Sequence, residues 1–318
     1  MFLLFIYIRV CFTIIYKLLT SMQRKQFIQS ALLTATGLTL FRQASIARMF
    51  QQPAWKIQML TNDAGVFTEK GGTILFYYTK DGIVVVDSQF PEQAQHLIDE
   101  LKKQSQTFRL LINTHHHGDH SSGNIAFKDI VQHVLAHENS KKNQQDVAIK
   151  NKTEDKQLYP GQTFGHVWCE SIGKERLCLY YFGAAHTNGD ALIHFEKANI
   201  VHTGDLVANR RHPYVDRTAG ASMKNWITVL DKTLDKFNKK TTYVFGHAEA
   251  GYNVTGTAED VKAFRSYIEK TLVFVEGAIK SGKSKEEVLK TTVIPGAEEW
   301  KGPGIERPLT AAYEELSA

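Results

Sequence analysis

No acidic residue precedes Asp63 in this chain of 318 residues. The formal charge of +5 is therefore local. Residues 1–52 hold Arg9, Lys17, Arg24, Lys25, Arg42 and Arg48, and without these six the balance is 32 basic residues against 33 acidic. A near-neutral remainder takes away the main support for a nucleic-acid partner. Long Pro/Gly/Ser linkers, repeats and low-complexity tracts are also missing, so nothing marks a boundary within residues 53–318. Cysteine is scarce: of three, Cys11 lies in the leader, which leaves Cys169 and Cys178 as the one pair in the body of the chain.

The acid-free segment 1–52 reads as a leader. From Met22, "MQRKQFIQSALLTATGLTLFRQASIA" has a basic start, an apolar stretch from about Ala31 to Phe41, and a small-x-small pattern at Ser45-Ile46-Ala47. This is the layout of an export signal over residues 22–47, and "RKQFIQ" resembles a twin-arginine signal with lysine as its second basic residue. Export to the periplasm is the expectation, with an uncleaved membrane anchor as the alternative. Residues 1–21 are apolar but interrupted by Arg9 and Lys17, and read as an upstream extension of a start at Met22.

Cys169 and Cys178 flank "ESIGKERL", which has the form of a hairpin. A two-residue turn at Gly173-Lys174, glycine first, registers Cys169 opposite Cys178. That is a non-hydrogen-bonded pair, whose short Cα separation suits a disulfide. Two buried thiols are the alternative, and an oxidising compartment favours the bridge.

"GIVVVDSQ" (82–89) and "FRLLIN" (108–113) are apolar runs of buried-strand type. Between them "PEQAQHLIDELKKQS" (91–105) sets Ala94, Leu97, Ile98 and Leu101 on one helical face behind a proline. The three make a right-handed βαβ unit. Further strands are expected near 73–78, 165–171, 176–182, 191–195, 198–203 and 241–246. Helices are expected near 123–131, 140–151, 222–237 and 257–280.

Chemistry-bearing residues gather just past these strands. "NTHHHGDHSSGN" follows "FRLLIN", His186 follows "LCLYYFGAA", Asp205 follows "NIVHTG", and His247 follows "TYVFG". Ligand sites of open α/β sheets collect at the carboxyl ends of strands. His115, His117, Asp119 and His120 are all metal-ligand types, and zinc takes such donors while leaving a position for water. H-x-H-x-D-H arises by chance in on the order of one in a thousand chains of this length. A lone histidine after a strand carries far less information. Asp87, ending "IVVVD", is a candidate to receive the second N–H of a ligating histidine, or else a carboxylate capping backbone amides. His202 is expected beside the site or in a structural role, and His137 at its rim or on a helix edge.

Taken together, "THHHGDHSSGN", "GAAHTNGD", "HTGDL" and "FGHAEAG" resemble, in order and spacing, the metallo-β-lactamase-fold hydrolases over roughly residues 55–318. The resemblance implies an α/β fold, an αββα sandwich of two mixed β-sheets flanked by helices. It implies that His115, His117 and His186 hold one metal, that Asp119, His120 and His247 hold another, and that Asp205 bridges them. Two zinc ions per chain are expected, with iron or manganese as alternatives. Such a pair, about 3.5–4 Å apart, shares an acidified hydroxide, so no protein nucleophile is needed. Asp119 is the candidate to orient that hydroxide.

The fold does not fix the substrate. Zinc β-lactamases resemble this motif set but usually lack an aspartate at the bridging position, so Asp205 points to the glyoxalase II, lactonase and related branches. The expected reaction is hydrolysis of an ester, thioester, lactone or amide of a small molecule. Lys280, Lys283 and Lys285 suit a glutathione site, but Glu286, Glu287, Glu298 and Glu299 follow them. The alternatives are a true β-lactamase and a persulfide dioxygenase, which holds one iron through residues matching His115, His186 and Asp205. Two loops are expected to shape the pocket: 61–72, a flap exposing Val66 and Phe67, and 206–220, which carries Arg210, Arg211 and Tyr214. An arginine gripping an acidic group and a solvated basic loop are the two readings of the latter.

Overall fold

A computed structural model describes residues 54–318, and the leader readings fall outside the described residues. Seven strands form the first sheet in chain order: β1 (Lys56–Met59), β2 (Ala64–Thr68), β3 (Ile74–Thr79), β4 (Gly82–Val86), β5 (Phe108–Asn113), β6 (Val131–His137) and β7 (Gln162–Phe164). The first four are antiparallel and β4 to β7 are parallel. There follow β8 (Val167–Ile172), β9 (Glu175–Tyr180), β10 (Leu192–Phe195), β11 (Ile200–His202), β12 (Ala208–Asn209), β13 (Thr242–Val244), β14 (His247–Ala248) and β15 (Thr255–Gly256). Six of these make the second sheet, ordered β15-β13-β11-β10-β9-β8, while β12 and β14 form a short parallel pair. Only β11 and β13 run parallel in the second sheet, so both sheets are mixed.

Side-chain alternation explains the layering. Val84 and Val86 point between the sheets, where they join Leu110 and Ile112 and meet Leu177, Leu179 and Ile193 of the second sheet. Ile83 and Val85 point the other way, into a cluster with Ala94, Leu97, Ile98 and Leu101 of the helix Pro91–Leu101. The run "GIVVV" is apolar throughout because both faces are covered. The outer face of the second sheet is covered by the helices Met223–Lys236, Ala258–Lys280 and Glu306–Ser317, through Trp226, Phe264, Tyr267 and Leu309. Helix, sheet, sheet and helix follow one another, as the αββα resemblance implies. Among the described residues no helix is long and apolar enough to cross a membrane.

Caps fix several boundaries. Ser222 accepts from the Asn225 amide, and Thr257 with Asp260 makes a capping box. His137 is not at the rim of the site but at the N-terminal edge of the helix Glu138–Asn151, which it caps. It is buried, its Nδ1 accepts from Asn139 N, and its ring stacks 4.0 Å from Tyr181. The helix expected near 123–131 is replaced by a short helix Gly118–Ser121, a 3-10 turn Ser122–Phe127 and then β6. Gln132 and His133 are exposed at the start of β6, which hides its strand pattern. The hairpin register holds: Cys169 pairs with Cys178 across β8 and β9, and the two form a disulfide.

The flap reading of 61–72 is overturned. Val66 and Phe67 belong to β2 and are 2% and 0% exposed. Val66 packs between the sheets and Phe67 under the helix Pro91–Leu101 side of the first sheet. The glycines of this stretch serve close packing. A Cβ on Gly72 would overlap the His120 ring, so glycine lets the β2–β3 connection pass against the site.

Candidate metal centre

Parallel β4 and β5 deliver Asp87 and the His115–His120 turn to one edge of the sandwich. From the second sheet the exits of β9, β11 and β13 bring His186, Asp205 and His247 to the same edge. The chain leaves β5 at Asn113, stays extended at His117, and enters the helix Gly118–Ser121. This abrupt bend separates the histidines of the first motif into two directions.

His115, His117, His186 and Asp205 form one donor group. His117 Nδ1 lies 3.1 Å from His115 Nε2 and 2.9 Å from His186 Nε2. Asp119, His120 and His247 form a second. There His247 Nε2 is 3.1 Å from Asp119 Oδ2 and 3.4 Å from His120 Nε2. Asp205 stands between the groups, its oxygens 3.2 Å from His120 Nε2, 3.5 Å from His247 Nε2 and 3.6 Å from His186 Nε2. Its Oδ1 is buried with no hydrogen-bond partner. A Cβ on Gly246 would overlap that oxygen, so glycine is required beside it.

This donor set fits metal ions. Imidazole nitrogens converge on one another and on a buried carboxylate, an arrangement that a cation satisfies and hydrogen bonds alone do not. Burial, reinforced by the neighbouring His117, lowers His186 to about 3, and burial with the nearby imidazoles holds His115 well below its ordinary value. Neutral imidazole is the form that ligates. In the second group burial opposes charge, but Asp205 and Asp87 outweigh it and raise His120 well above its ordinary value. Burial likewise opposes ionisation of Asp119, yet its hydrogen bond to His247 and the charge on His120 bring it down to about 2.

Each of the five donor histidines has a hydrogen-bond partner for its second ring nitrogen, and for His247 it is Arg211, whose Nη1 lies 3.5 Å from His247 Nδ1. His120 Nδ1 reaches Asp87 Oδ2 at 2.7 Å, His186 Nδ1 the Tyr214 carbonyl at 2.8 Å, His117 Nε2 Asp216 Oδ2 at 3.0 Å, and His115 Nδ1 Thr114 Oγ1 at 3.0 Å. These contacts fix tautomer and ring orientation. Asp87 also accepts from the Thr114 amide and hydroxyl, so both readings of this carboxylate hold. His202 is structural: its Nε2 bonds Thr73 O and its Nδ1 accepts from the Gly204 amide, next to Asp205. His116 belongs to neither of these two groups but joins His117 and Asp216 in a third cluster of donors, its Nε2 3.4 Å from Asp216 Oδ2.

A cleft of about 320 Å³ opens over the two groups, lined by His117, Asp119, His186, Asp205, Arg211, His212, Tyr214, His247 and Arg307 among others. Arg211 and Tyr214 thus face the site as expected, but Arg210 does not. With a positive φ of 56° it turns away to bond Asp260 and Glu299 at 3.1 and 2.9 Å, over the Trp300 ring. Val66 and Phe67 are also absent from the cleft. Asp216 and Arg307 escaped the sequence reading. Asp216 was one unpatterned aspartate in a polar loop, and Arg307 carries no local signal because it comes from the last helix.

A two-sheet sandwich with imidazole–carboxylate donor groups at one edge is the arrangement of a metal-dependent enzyme. The chain belongs to the metallo-beta-lactamase superfamily, whose family model matches residues 68–248. Metallo-beta-lactamase IND-1 of Chryseobacterium indologenes is 25% identical over 203 residues, covering 61% of this chain and 81% of that one. Metallo-beta-lactamase type 2 of Elizabethkingia meningoseptica is 23% identical over 222 residues, covering 67% and 83%. Among solved structures, a metallo-beta-lactamase from Pontibacter korlensis has a TM-score of 0.57 at 21% identity and covers 68% of this chain and 99% of its own. The stereoselective inverting sec-alkylsulfatase Pisa1 from Pseudomonas sp. has a TM-score of 0.67 at 13% identity, over 81% of this chain and 49% of its own.

Proposed function

We propose that the protein is a dinuclear zinc hydrolase acting on an ester, thioester, lactone or amide bond of a small molecule. The observation that carries this is the pairing of two donor groups about Asp205, whose oxygens lie within 3.2–3.6 Å of His120, His186 and His247. His115, His117 and His186 would hold one ion, Asp119, His120 and His247 the other, with Asp205 bridging. When bound, the metals supply Lewis acidity and an acidified water. Asp119, at the cleft wall, orients the attacking water, and the walls of the cleft hold the scissile group against the donor edge. The hydrolase reading is preferred to a one-iron dioxygenase because the second donor group is intact.

The names of the two curated relatives favour β-lactam hydrolysis as a second reading. Against it stands Asp205 at the bridging position. The Cys169–Cys178 bridge supports an oxidising compartment, and with it export of the mature domain.

Metal content should be measured on protein purified without added metal, alongside a panel of lactones, thioesters, nitrocefin and phosphodiesters. Two zinc ions and turnover of a lactone or thioester are expected. One iron per chain with no hydrolysis would overturn the proposal. Asp119→Ala should retain the fold and lose turnover of whichever substrate the wild type accepts.

A further inference from the structure

Cys169 and Cys178 share one bridge but stand in different surroundings. In the second sheet β8 comes last, so beyond Cys169 no further strand is paired among the described residues. Val167, Cys169 and Ser171 lie on one face of β8 and are all exposed. Cys178, one strand inward, is 1% exposed and packs with Tyr180 and Leu192 beneath the helical layer. On its other flank His194 of β10 holds the paired position, and its ring lies 4.8 Å from Phe237. The helical cover of this face therefore reaches Cys178 and stops short of Cys169.

A thiolate opens a disulfide by attacking one sulfur while the other leaves, and the attack runs along the line of the S–S bond. A bridge between paired positions of adjacent strands lies across the sheet. From the Cys169 side the approach crosses the free edge of β8, in solvent. From the Cys178 side it is closed by His194 and Phe237. The sulfur that leaves also has a fixed neighbour: Glu196 Oε1 lies 3.3 Å from Cys178 Sγ. The closed bridge has no proton to give it, but an opened Cys178 thiol donates there. A thiol held in that bond is not the thiolate that would close the bridge again.

We propose that the β8–β9 bridge is a thiol-exchange site with one open side, where Cys169 takes up a small-molecule thiol as a mixed disulfide and Cys178 is kept as a buried thiol against Glu196. The incoming thiolate forms a bond to Cys169 Sγ as the bond between the two cysteine sulfurs breaks. The electron pair leaves with Cys178 Sγ, which takes a proton from water. One disulfide replaces another, so nothing beyond the thiol itself is consumed. Neither cysteine lines the metal cleft or belongs to a donor group, so the site stands apart from the hydrolytic reading.

The test treats folded protein with glutathione at about pH 8, where part of the reagent is thiolate, and quenches it in acid with N-ethylmaleimide. Trypsin cuts at Lys174 and Arg176, between the two cysteines, so each is read on its own peptide. At early times the glutathionyl group should be at least about tenfold more abundant on Cys169 than on Cys178, whose peptide should carry the maleimide. The single variants give a second reading. Glutathione disulfide should modify Cys169 in folded Cys178→Ser at least about tenfold faster than Cys178 in folded Cys169→Ser, with the two rates alike in denaturant. In Glu196→Gln the adduct should be lost faster once glutathione is removed, because Cys178 is no longer held. Adduct chiefly on Cys178, or equal rates in the two folded variants, would overturn the proposal, as would a bridge that opens only on unfolding.

Discussion

Gly246 shows how much of the centre depends on what a residue lacks. Its missing side chain leaves room for Asp205 Oδ1, and its amide donates to Gly204 O at 2.8 Å, beside that same aspartate. Gly246→Ala should displace Asp205 or its turn, at an overpacking cost of about 1–3 kcal/mol. Zinc bound per chain and the denaturation midpoint should both fall, and an unchanged zinc content would show that Asp205 is not needed to hold metal. At this scale the sequence is uneven in what it reveals. His115 to His120 are legible because four donors crowd one turn, and Asp87 is legible because it ends an apolar strand. Asp216 likewise holds His117, at 3.0 Å, yet no neighbouring residue marks it. Arg307 is invisible for a deeper reason: it reaches the cleft only through how the last helix packs, and that packing leaves no trace around residue 307 itself.

The same contrast appears among the elements. The strands flanking Pro91–Leu101 were readable because burial on both faces makes them continuously apolar, whereas β6 begins with exposed polar residues and was not. β2 differs from the expected flap in the opposite sense, since the stretch 61–72 carries a buried strand with glycines at 65, 71 and 72. Its glycines serve close packing: Gly65 lies against the Phe76 ring and Gly72 against His120. Phe67→Ala should therefore act on stability, costing about 3–5 kcal/mol by denaturant unfolding, with KM unaltered. A raised KM at unchanged stability would restore the flap reading. The β8–β9 hairpin invites a separate measurement, because its disulfide joins residues only nine apart. Loop-closure entropy for so short a loop limits its contribution to about 2–3 kcal/mol. Replacing Cys169 and Cys178 together by alanine should lower the unfolding free energy by no more than that, while activity persists. Loss of folding altogether would mean that the bridge does more than close a local loop.

Across the whole molecule, the donor groups span the seam between the sheets. The first takes His115 and His117 from the first sheet and His186 and Asp205 from the second; the other takes Asp119 and His120 from the first and His247 from the second. Neither group exists until the two sheets have packed, so an ion bound by either is bound by the folded state alone. Binding free energy then appears in full as folding stability, about 2.7 kcal/mol when free metal exceeds its dissociation constant a hundredfold. Zinc should raise Tm, and EDTA should lower it to a value that is independent of added zinc once the chelator is in excess. His186→Ala and His247→Ala provide the discrimination, because they strip one donor from different groups. Each should leave the EDTA-treated Tm nearly unchanged while removing part of the zinc-dependent rise. If His247→Ala leaves that rise whole, the second group holds no ion and the centre is mononuclear. The seam would then be bridged by one metal on His115, His117, His186 and Asp205.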